Sequence, residues 1–413
     1  MTAITKKVEQ KLLGLNGDEA VARAIKQCNV DFVAAFPITP QTIIVERFSE
    51  YVANGEVDTA FVCVESEHSA LSACVGAAAV GARAFTATAS QGLALMHEIV
   101  YIASSLRLPI VMAIVNRALS GPINIHCDHH DSMAERDACW IQFYCEDAQE
   151  AYDTTIQAFR IAEHPDILLP VMYMMDAFLI SHTMQNVWVL PDEVVKEFVG
   201  YRKIPEVEIP FYGKVPFAMR PNVPLTLGPL DLFDYYYEHK MQQQAAMERA
   251  PDIIKKVHDE YAEISGRRYG DGMIVPYKVE DADIVLMCIG STAGTARVAA
   301  DLARQEGVKV GVLRIRSYRP FPAHQVRELL KGVKVVGVLD RCGPYGAIGG
   351  PLYVETCATL YHAKERPLLV DFIYGLGGRD MSVQDLRGII AELVDVMRTE
   401  SPEPTLRFRG VRE

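Results

Sequence analysis

Between positions 30 and 173 the chain swings repeatedly between short runs of β-forming residues and longer helical patterns, and that alternation leaves few folds open to it. Residues 30–36, 61–64, 83–87, 110–115 and 168–173 read as strands, with helical patterns starting at Ser69, Gly92 and Ala148 between them. A strand, a helix and another strand in turn imply parallel pairing through crossovers, so the spacing predicts a parallel sheet with helices on both faces. Asn16-Gly-Asp-Glu ahead of Ala20, Ala22, Ala24 and Ile25 predicts the first helix, a capping residue followed by acids. Ligands of such sheets collect beyond the carboxyl ends of the strands.

A second α/β unit is predicted from Asp283-Ile-Val-Leu-Met-Cys-Ile-Gly290, a buried-strand pattern followed by a helix to Glu306 and by strands over 308–315, 333–340 and 368–374. Between the two units, residues 189–224 carry Pro191, Pro205, Pro210, Pro216, Pro221 and Pro224. So much proline excludes regular helix and predicts an extended arm over the surface or over a partner. Residues 231–264 read as a long charged helix that bridges domains or packs on another subunit. A length of 413 residues calls for two or three domains, drawn here as 1–190, 191–275 for the arm and bridging helix, and 276–413.

The balance of 41 basic against 53 acidic residues, a net charge of -12, argues against nucleic acid or an anionic membrane as partner. Apolar runs such as 108–115 and 167–175 are too short to span a bilayer, and the amino terminus lacks the apolar core of a signal peptide, so a cytoplasmic location is expected. The nine cysteines include no Cys-x-x-Cys, which fits reduced thiols and no iron-sulfur cluster on this chain.

One strand run ends in an acid: Val62-Cys-Val-Glu-Ser-Glu-His-Ser-Ala70 places Glu67 ahead of a small-residue helix over 71–82, and Phe61, Val62 and Val64 predict a buried strand. Taken alone, Glu67 is a helix N-terminal acid favoured by the macrodipole. Phe36-Pro-Ile-Thr-Pro-Gln-Thr42 lies upstream, and Asn116-Arg-Ala-Leu-Ser-Gly-Pro-Ile-Asn124 downstream. Thr86-Ala-Thr-Ala-Ser-Gln-Gly-Leu-Ala-Leu-Met-His-Glu98, Asp137-Ala-Cys-Trp-Ile-Gln142, Arg319-Pro-Phe-Pro322, Leu339-Asp-Arg341 and Tyr374-Gly-Leu-Gly-Gly-Arg-Asp380 complete a series covering nearly the whole chain. Together these segments resemble the alpha subunit of the 2-oxoacid:ferredoxin oxidoreductases, the pyruvate synthase class.

The resemblance implies a pyrimidine-type thiamine-diphosphate-binding domain followed by a transketolase C-terminal-like α/β domain. It also implies oxidative decarboxylation of a 2-oxo acid to acyl-CoA and carbon dioxide. Thiamine chemistry needs a carboxyl on the aminopyrimidine nitrogen N1′, and such a group trades protons near neutrality only where an apolar surround disfavours its charged form. Glu67 matches the family's acid, with Glu65 as rival; Pro37 and Ile38 fall on cofactor-facing positions. Thr39 and Arg117 fall on substrate positions, where a guanidinium meets a carboxylate with two parallel hydrogen bonds and a turn hydroxyl adds a third. Asn116 and Asn124 flank the same loop. Where pyruvate-class relatives carry Asn-Ile-Trp-Asn-Asp, this chain has Asn124-Ile-His-Cys-Asp128, so His126 frees volume and admits a bulkier branched or aryl oxo acid such as phenylglyoxylate beside pyruvate. The resemblance further implies a beta subunit holding Mg²⁺ and the diphosphate, a gamma subunit, a ferredoxin-like subunit carrying the iron-sulfur clusters, and coenzyme A as acyl acceptor.

Other motifs read more plainly. Cys127-Asp-His-His-Asp131 has ligand-type residues, but adjacent histidines rarely converge on one ion, so loop polarity and no metal are expected. Gly270-Asp-Gly272 begins like a diphosphate signature yet lacks the paired asparagines that should follow, and reads as a turn. Gly343-Pro-Tyr-Gly-Ala-Ile-Gly-Gly350 lacks a helix directly behind it and reads as a flexible turn. Two other functions stay open: a non-catalytic docking subunit of the same kind of complex, which would assemble normally without Glu67, and a dinucleotide dehydrogenase, which lacks its Gly-x-Gly-x-x-Gly.

Overall fold

A computed structural model of the chain describes residues 8–412. The first half runs β1 (Lys11–Leu15), α1 (Gly17–Gln27), β2 (Phe32–Ala35), α2 (Thr42–Ala53), β3 (Ala60–Cys63), α3 (Glu67–Ala79), β4 (Ala84–Thr88), α4 (Ser90–Ser105), β5 (Val111–Asn116), α5 (His130–Ala134), β6 (Ile141–Tyr144), α6 (Ala148–Ala162), β7 (Val171–Asp176) and β8 (Gln185–Val189). Then come α7 (Asp192–Val199), β9 (Glu206–Ile209), β10 (Gly213–Pro216) and α8 (Tyr236–Ser265). The second half comprises β11 (Ile274–Tyr277), β12 (Ile284–Cys288), α9 (Thr292–Gln305), β13 (Val310–Ile315), β14 (Ser317–Arg319), α10 (Ala323–Leu329), β15 (Val335–Asp340), α11 (Pro351–Leu360), β16 (Leu368–Ile373), α12 (Val383–Thr399) and β17 (Leu406–Phe408).

Seven strands form the first sheet in the order β14-β6-β7-β5-β4-β2-β3, parallel except for β14. The expected two-faced burial is present: Val111, Ala113 and Val115 of β5 join α1 and α6 in one core, while Met112 and Ile114 join α3 and α4 in another. The second sheet, β11-β13-β12-β15-β16-β17, is parallel except for β11. Its Val285, Met287, Val336 and Val338 enter the same core as α3 and α4, so the two halves share apolar interior. The helix predicted at Asn16 forms with a reciprocal cap, Asn16 Oδ1 accepting from Glu19 N at 2.9 Å and Glu19 Oε2 from Asn16 N at 3.1 Å.

Several expectations are corrected. The proline-rich stretch holds a two-turn helix, α7, because Pro191 sits just outside its first turn, where a missing N–H costs nothing, and Val195, Phe198 and Val199 bury one face. One face of the long helix α8 packs on the first half: Ala246, Ala250, Ile254, Val257 and Tyr261 are buried in the first core. Strand β3 is an edge strand, with Val62 39% exposed, so it is not the buried strand its composition suggests. A helix, α11, does start directly behind Gly350. Its N-terminus is filled by the chain's own acids: Asp340 accepts from Leu352 N (3.0 Å) and Tyr353 N (2.9 Å), and Asp371 from Gly350 N (2.6 Å), which leaves no place for a phosphate.

Glu150 is one of the buried carboxylates that join the halves. Glu150 on α6 accepts from Arg314 Nη1 at 2.7 Å and from Arg316 Nε at 2.8 Å, both cations arriving from the second half as it passes from β13 into β14. Burial alone would push the Glu150 carboxyl up, but the two guanidiniums outweigh it and hold it below the usual range. Removing such a charge strands two buried cations, so Glu150→Gln should cost about 3–5 kcal/mol in urea unfolding. A loss under about 1 kcal/mol would show that the pairs are not what joins the halves.

Candidate active site

The chain leaves β2 toward the edge strand β3, crosses back to β4, and then proceeds the other way to β5. Connections therefore depart from neighbouring β2 and β4 in opposite directions and leave a crevice beyond their carboxyl ends. Glu67, Thr39 and Arg117 all follow strands at that end of the sheet, after β3, β2 and β5.

Glu67 is the first residue of α3 and only 7% exposed. Its cover comes not from Val62 but from α4. A Cβ placed on Gly92 would lie 2.7 Å from both Cγ and Oε1 of Glu67 and 2.4 Å from Thr88 Oγ1, so only glycine lets the helix approach this closely. No described residue hydrogen-bonds the Glu67 carboxylate. The adjacent loops hold further unsatisfied buried atoms: Gln41 Oε1, Thr88 Oγ1, Gln91 Nε2 and Asn116 Oδ1. Buried polar atoms without partners are rare, and these four lie at the end of the sheet where Glu67, Thr39 and Arg117 emerge. The rival Glu65 is exposed and accepts from Ser69 Oγ, which lowers its pKa.

Arg117 is 7% exposed and tied to both flanking loops. Its Nη1 donates to Thr39 O at 2.9 Å and its Nε to Asn124 O at 3.2 Å, leaving Nη2 without a described acceptor. Thr39 lies exposed on its loop with Pro37, and Ile38 is half-buried. Asn124 Oδ1 accepts from His126 N at 2.7 Å, and the exposed His126 sets its ring 5.0 Å from that of Phe178. The structure thus brings Thr39, Arg117 and Asn124 into one bonded group, with His126 at its outer edge.

The segment expected to be mere loop polarity is buried machinery instead. Asp131 Oδ2 accepts from Ser90 N (2.9 Å) and Arg117 N (3.0 Å), and Oδ1 from Asn116 Nδ2 (2.7 Å) and Ser132 N (2.8 Å). One carboxylate therefore fixes the residues that follow β4 and β5. Sequence reasoning missed it because its partners lie up to 41 positions away. Cys127, His129 and Asp176 also converge, their ligand-type atoms within 4.8 Å of one another. Arg341 Nη1 reaches Asp176 Oδ2 at 3.0 Å and Cys127 Sγ at 3.6 Å, so a guanidinium takes the place a cation would take. Burial and the Asp176 charge push the Cys127 thiol up, away from the thiolate a metal binds.

Comparison with known proteins gives consistent results. The family described as "Pyruvate flavodoxin/ferredoxin oxidoreductase, thiamine diP-bdg" matches residues 23–259, and "Pyruvate:ferredoxin oxidoreductase core domain II" matches residues 282–386. Pyruvate synthase subunit PorA of Thermotoga maritima is 51% identical over 401 residues, 97% of this chain and 98% of its own. Ketoisovalerate oxidoreductase subunit VorA of Pyrococcus horikoshii is 43% identical over 385 residues, 93% and 94% of the two chains. Among solved structures, 2-oxoglutarate:ferredoxin oxidoreductase from Magnetococcus marinus superposes with a TM-score of 0.67 at 18% identity, over 93% of this chain and 65% of that one. A split-gene transketolase gives 0.53 at 13% identity over 93% of this chain and 100% of that one. At such identities these two structures speak for the fold.

Burial pushes the Asp131 carboxyl from 3.8 up to about 6, against the pull of the Arg117 N–H, the Asn116 amide and the Ser90 N–H. A proton is then held more tightly in the folded chain than in the unfolded one. Stability from this group is full below about 3.8 and is lost as pH rises through about 6. The stability of the chain relative to Asp131→Asn should therefore increase as pH falls across that window, by up to about 3 kcal/mol in urea unfolding. A difference that stays flat with pH would mean that Asp131 does not titrate there.

Proposed function

The chain belongs to the family of the alpha subunits of the 2-oxoacid:ferredoxin oxidoreductases, and on that premise we propose that Glu67 faces the aminopyrimidine of thiamine diphosphate while Arg117 and Thr39 receive the carboxylate of a 2-oxo acid. The observation that carries this reading is Glu67 itself, a buried carboxyl with no protein partner, against which a glycine lets α4 pack closely. A ring nitrogen that gains and loses a proton is the partner such a group lacks. When bound, the cofactor supplies the carbon nucleophile for the keto group and accepts the electrons left as carbon dioxide departs.

This chain's residues bind, orient and exclude water. Glu67 holds a proton at a carboxyl oxygen opposite N1′, and Pro37 and Ile38 wall the ring on the β2 side. Arg117 turns Nη2, with the remaining Nη1 hydrogen, toward the substrate carboxylate in a forked pair, and the Thr39 hydroxyl adds a third donor. Asn124 and His126 border the substrate's side chain.

The diphosphate and Mg²⁺ are assigned to a beta subunit. Gly270-Asp-Gly272 does not suit them, because Asp271 Oδ1 is already taken by the N–H groups of Met273 and Ile274. Exposed apolar residues on α4, Leu95, Tyr101 and Ile102, support a subunit seated there. Iron-sulfur clusters are assigned to a ferredoxin-like subunit, with a gamma subunit completing the complex and coenzyme A taking the acyl group. The nine cysteines here are free thiols, and Cys28, Cys74, Cys127, Cys145, Cys288 and Cys342 are buried singly. No helix of the described residues is long and apolar enough to cross a membrane.

Pyruvate is the proposed substrate, on the strength of the name borne by the 51%-identical relative, with branched or aryl oxo acids admitted by the space beside His126. In the complex with its partner subunits, Glu67→Gln should lower oxo-acid-dependent dye reduction about a hundredfold or more while assembly persists. Unchanged turnover would overturn the assignment. Rates on pyruvate, 2-oxoisovalerate and phenylglyoxylate should all be measurable in the same complex; activity confined to pyruvate would remove the role given to His126.

A further inference from the structure

The second half of the chain meets the proposed substrate loop at a turn of glycines. Between β16 and α12, Gly375, Gly377 and Gly378 adopt φ of +66°, +63° and +80°, a region that side chains other than glycine rarely enter. Each stands where another residue needs the room. A Cβ on Gly377 would lie 2.5 Å from Asn124 Nδ2, one on Gly378 2.3 Å from His126 Cβ, and one on Gly375 2.7 Å from Arg341 Nε.

Hydrogen bonds run through the same contact. Gly378 N donates to Cys127 O at 2.6 Å, and Asn124 Nδ2 to Gly377 O at 3.1 Å. Asn124 O in turn accepts from Arg117 Nε at 3.2 Å, and His126 O from Ala118 N at 2.9 Å. Residues 121–126 form no helix or strand, and Ile123 is 75% exposed. A loop with so little cover holds its shape only through these anchors.

We propose that the glycine turn 375–378 positions Arg117 from the C-terminal half, by way of Asn124, and so sets the reach of the substrate pocket. Gly377 and Gly378 are positioning residues that touch no reacting atom. The inference rests on the assignment of Arg117 to the substrate carboxylate, and it adds a specificity element that lies about 250 positions away in sequence. The turn touches Asn124 and His126 but not Glu67, Gly92 or Ser90, so its disturbance should affect the oxo acid and spare the cofactor.

The test uses the assembled complex. Gly378→Ala should raise KM for pyruvate about tenfold or more, with kcat at saturation and thiamine diphosphate affinity, read by protein fluorescence without oxo acid, within about twofold of the parent. Asn124→Ala removes the same link without backbone strain and should raise KM as well. Arg117→Lys should raise KM irrespective of the turn. If Gly378→Ala and Asn124→Ala leave KM unchanged while Arg117→Lys raises it, the inference falls and the substrate assignment stands. If Arg117→Lys leaves KM unchanged, the substrate assignment itself falls. A Gly378→Ala complex that loses kcat and cofactor affinity without a KM change would make the turn merely structural and overturn the inference. Should that variant fail to assemble, an unchanged KM in Asn124→Ala is enough to overturn it.

Discussion

A carboxylate removed from water must be given donors, and this molecule meets that demand at nearly every buried acid. Glu150 takes two guanidiniums. Asp153 takes the hydroxyls of Tyr261 and Tyr269 and the fork of Arg267. Asp131 takes four N–H groups. Glu67 takes none. Asp18, in the first turn of α1, also takes none, but it is fully buried, whereas Glu67 borders the crevice beyond β2 and β4.

The second sheet has a crevice of its own. The chain passes from β12 to β13 on one side and returns to β15 on the other, so the loops after β12 and β15 diverge as they do in the first sheet. Here the space is filled from within. Asp176, at the end of β7, lies against Gly290, accepts from Ser291 N at 3.2 Å and Arg341 Nη1 at 3.0 Å, and meets His129 Nε2 at 2.7 Å. Burial raises the Asp176 pKa, but His129, Arg341 and Ser291 outweigh it and keep the acid ionised. The first half thus supplies an anion to the second half's crevice, which serves as a joint.

Local pattern made the parallel strands legible, because buried central strands and the helices between them carry period and caps in their own residues. It also placed Glu67, Thr39 and Arg117 at the strand ends, since a strand followed by a turn fixes where the next side chains emerge. Strand β6 escaped notice because Ile141 to Tyr144 is short and only the five-residue α5 separates it from β5. Strand β14 escaped because it belongs to the first sheet while lying in the second half, a pairing that no window of sequence contains. The burial of β3 was misjudged for a related reason: Phe61, Val62 and Val64 look like core, and only the strand order reveals an edge. Asp131 and the glycine turn share that blindness, for each acts on residues far along the chain.

The start of α3 shows how a helix can present an acid without using it. A negative residue in the first turn ordinarily answers the unpaired N–H groups and the dipole. In this helix those duties fall to the neighbours: Ser66 Oγ accepts from Ser69 N at 3.2 Å, and Glu65 accepts from the Ser69 hydroxyl. Glu67 is relieved of capping yet remains within the field of the helix terminus. Cap, rival acid and free acid are three consecutive residues, and a shift of one position would put the carboxyl back on the backbone. The bland reading of Glu67 as a terminal helix acid and the functional one are therefore not exclusive; Ser66 separates them.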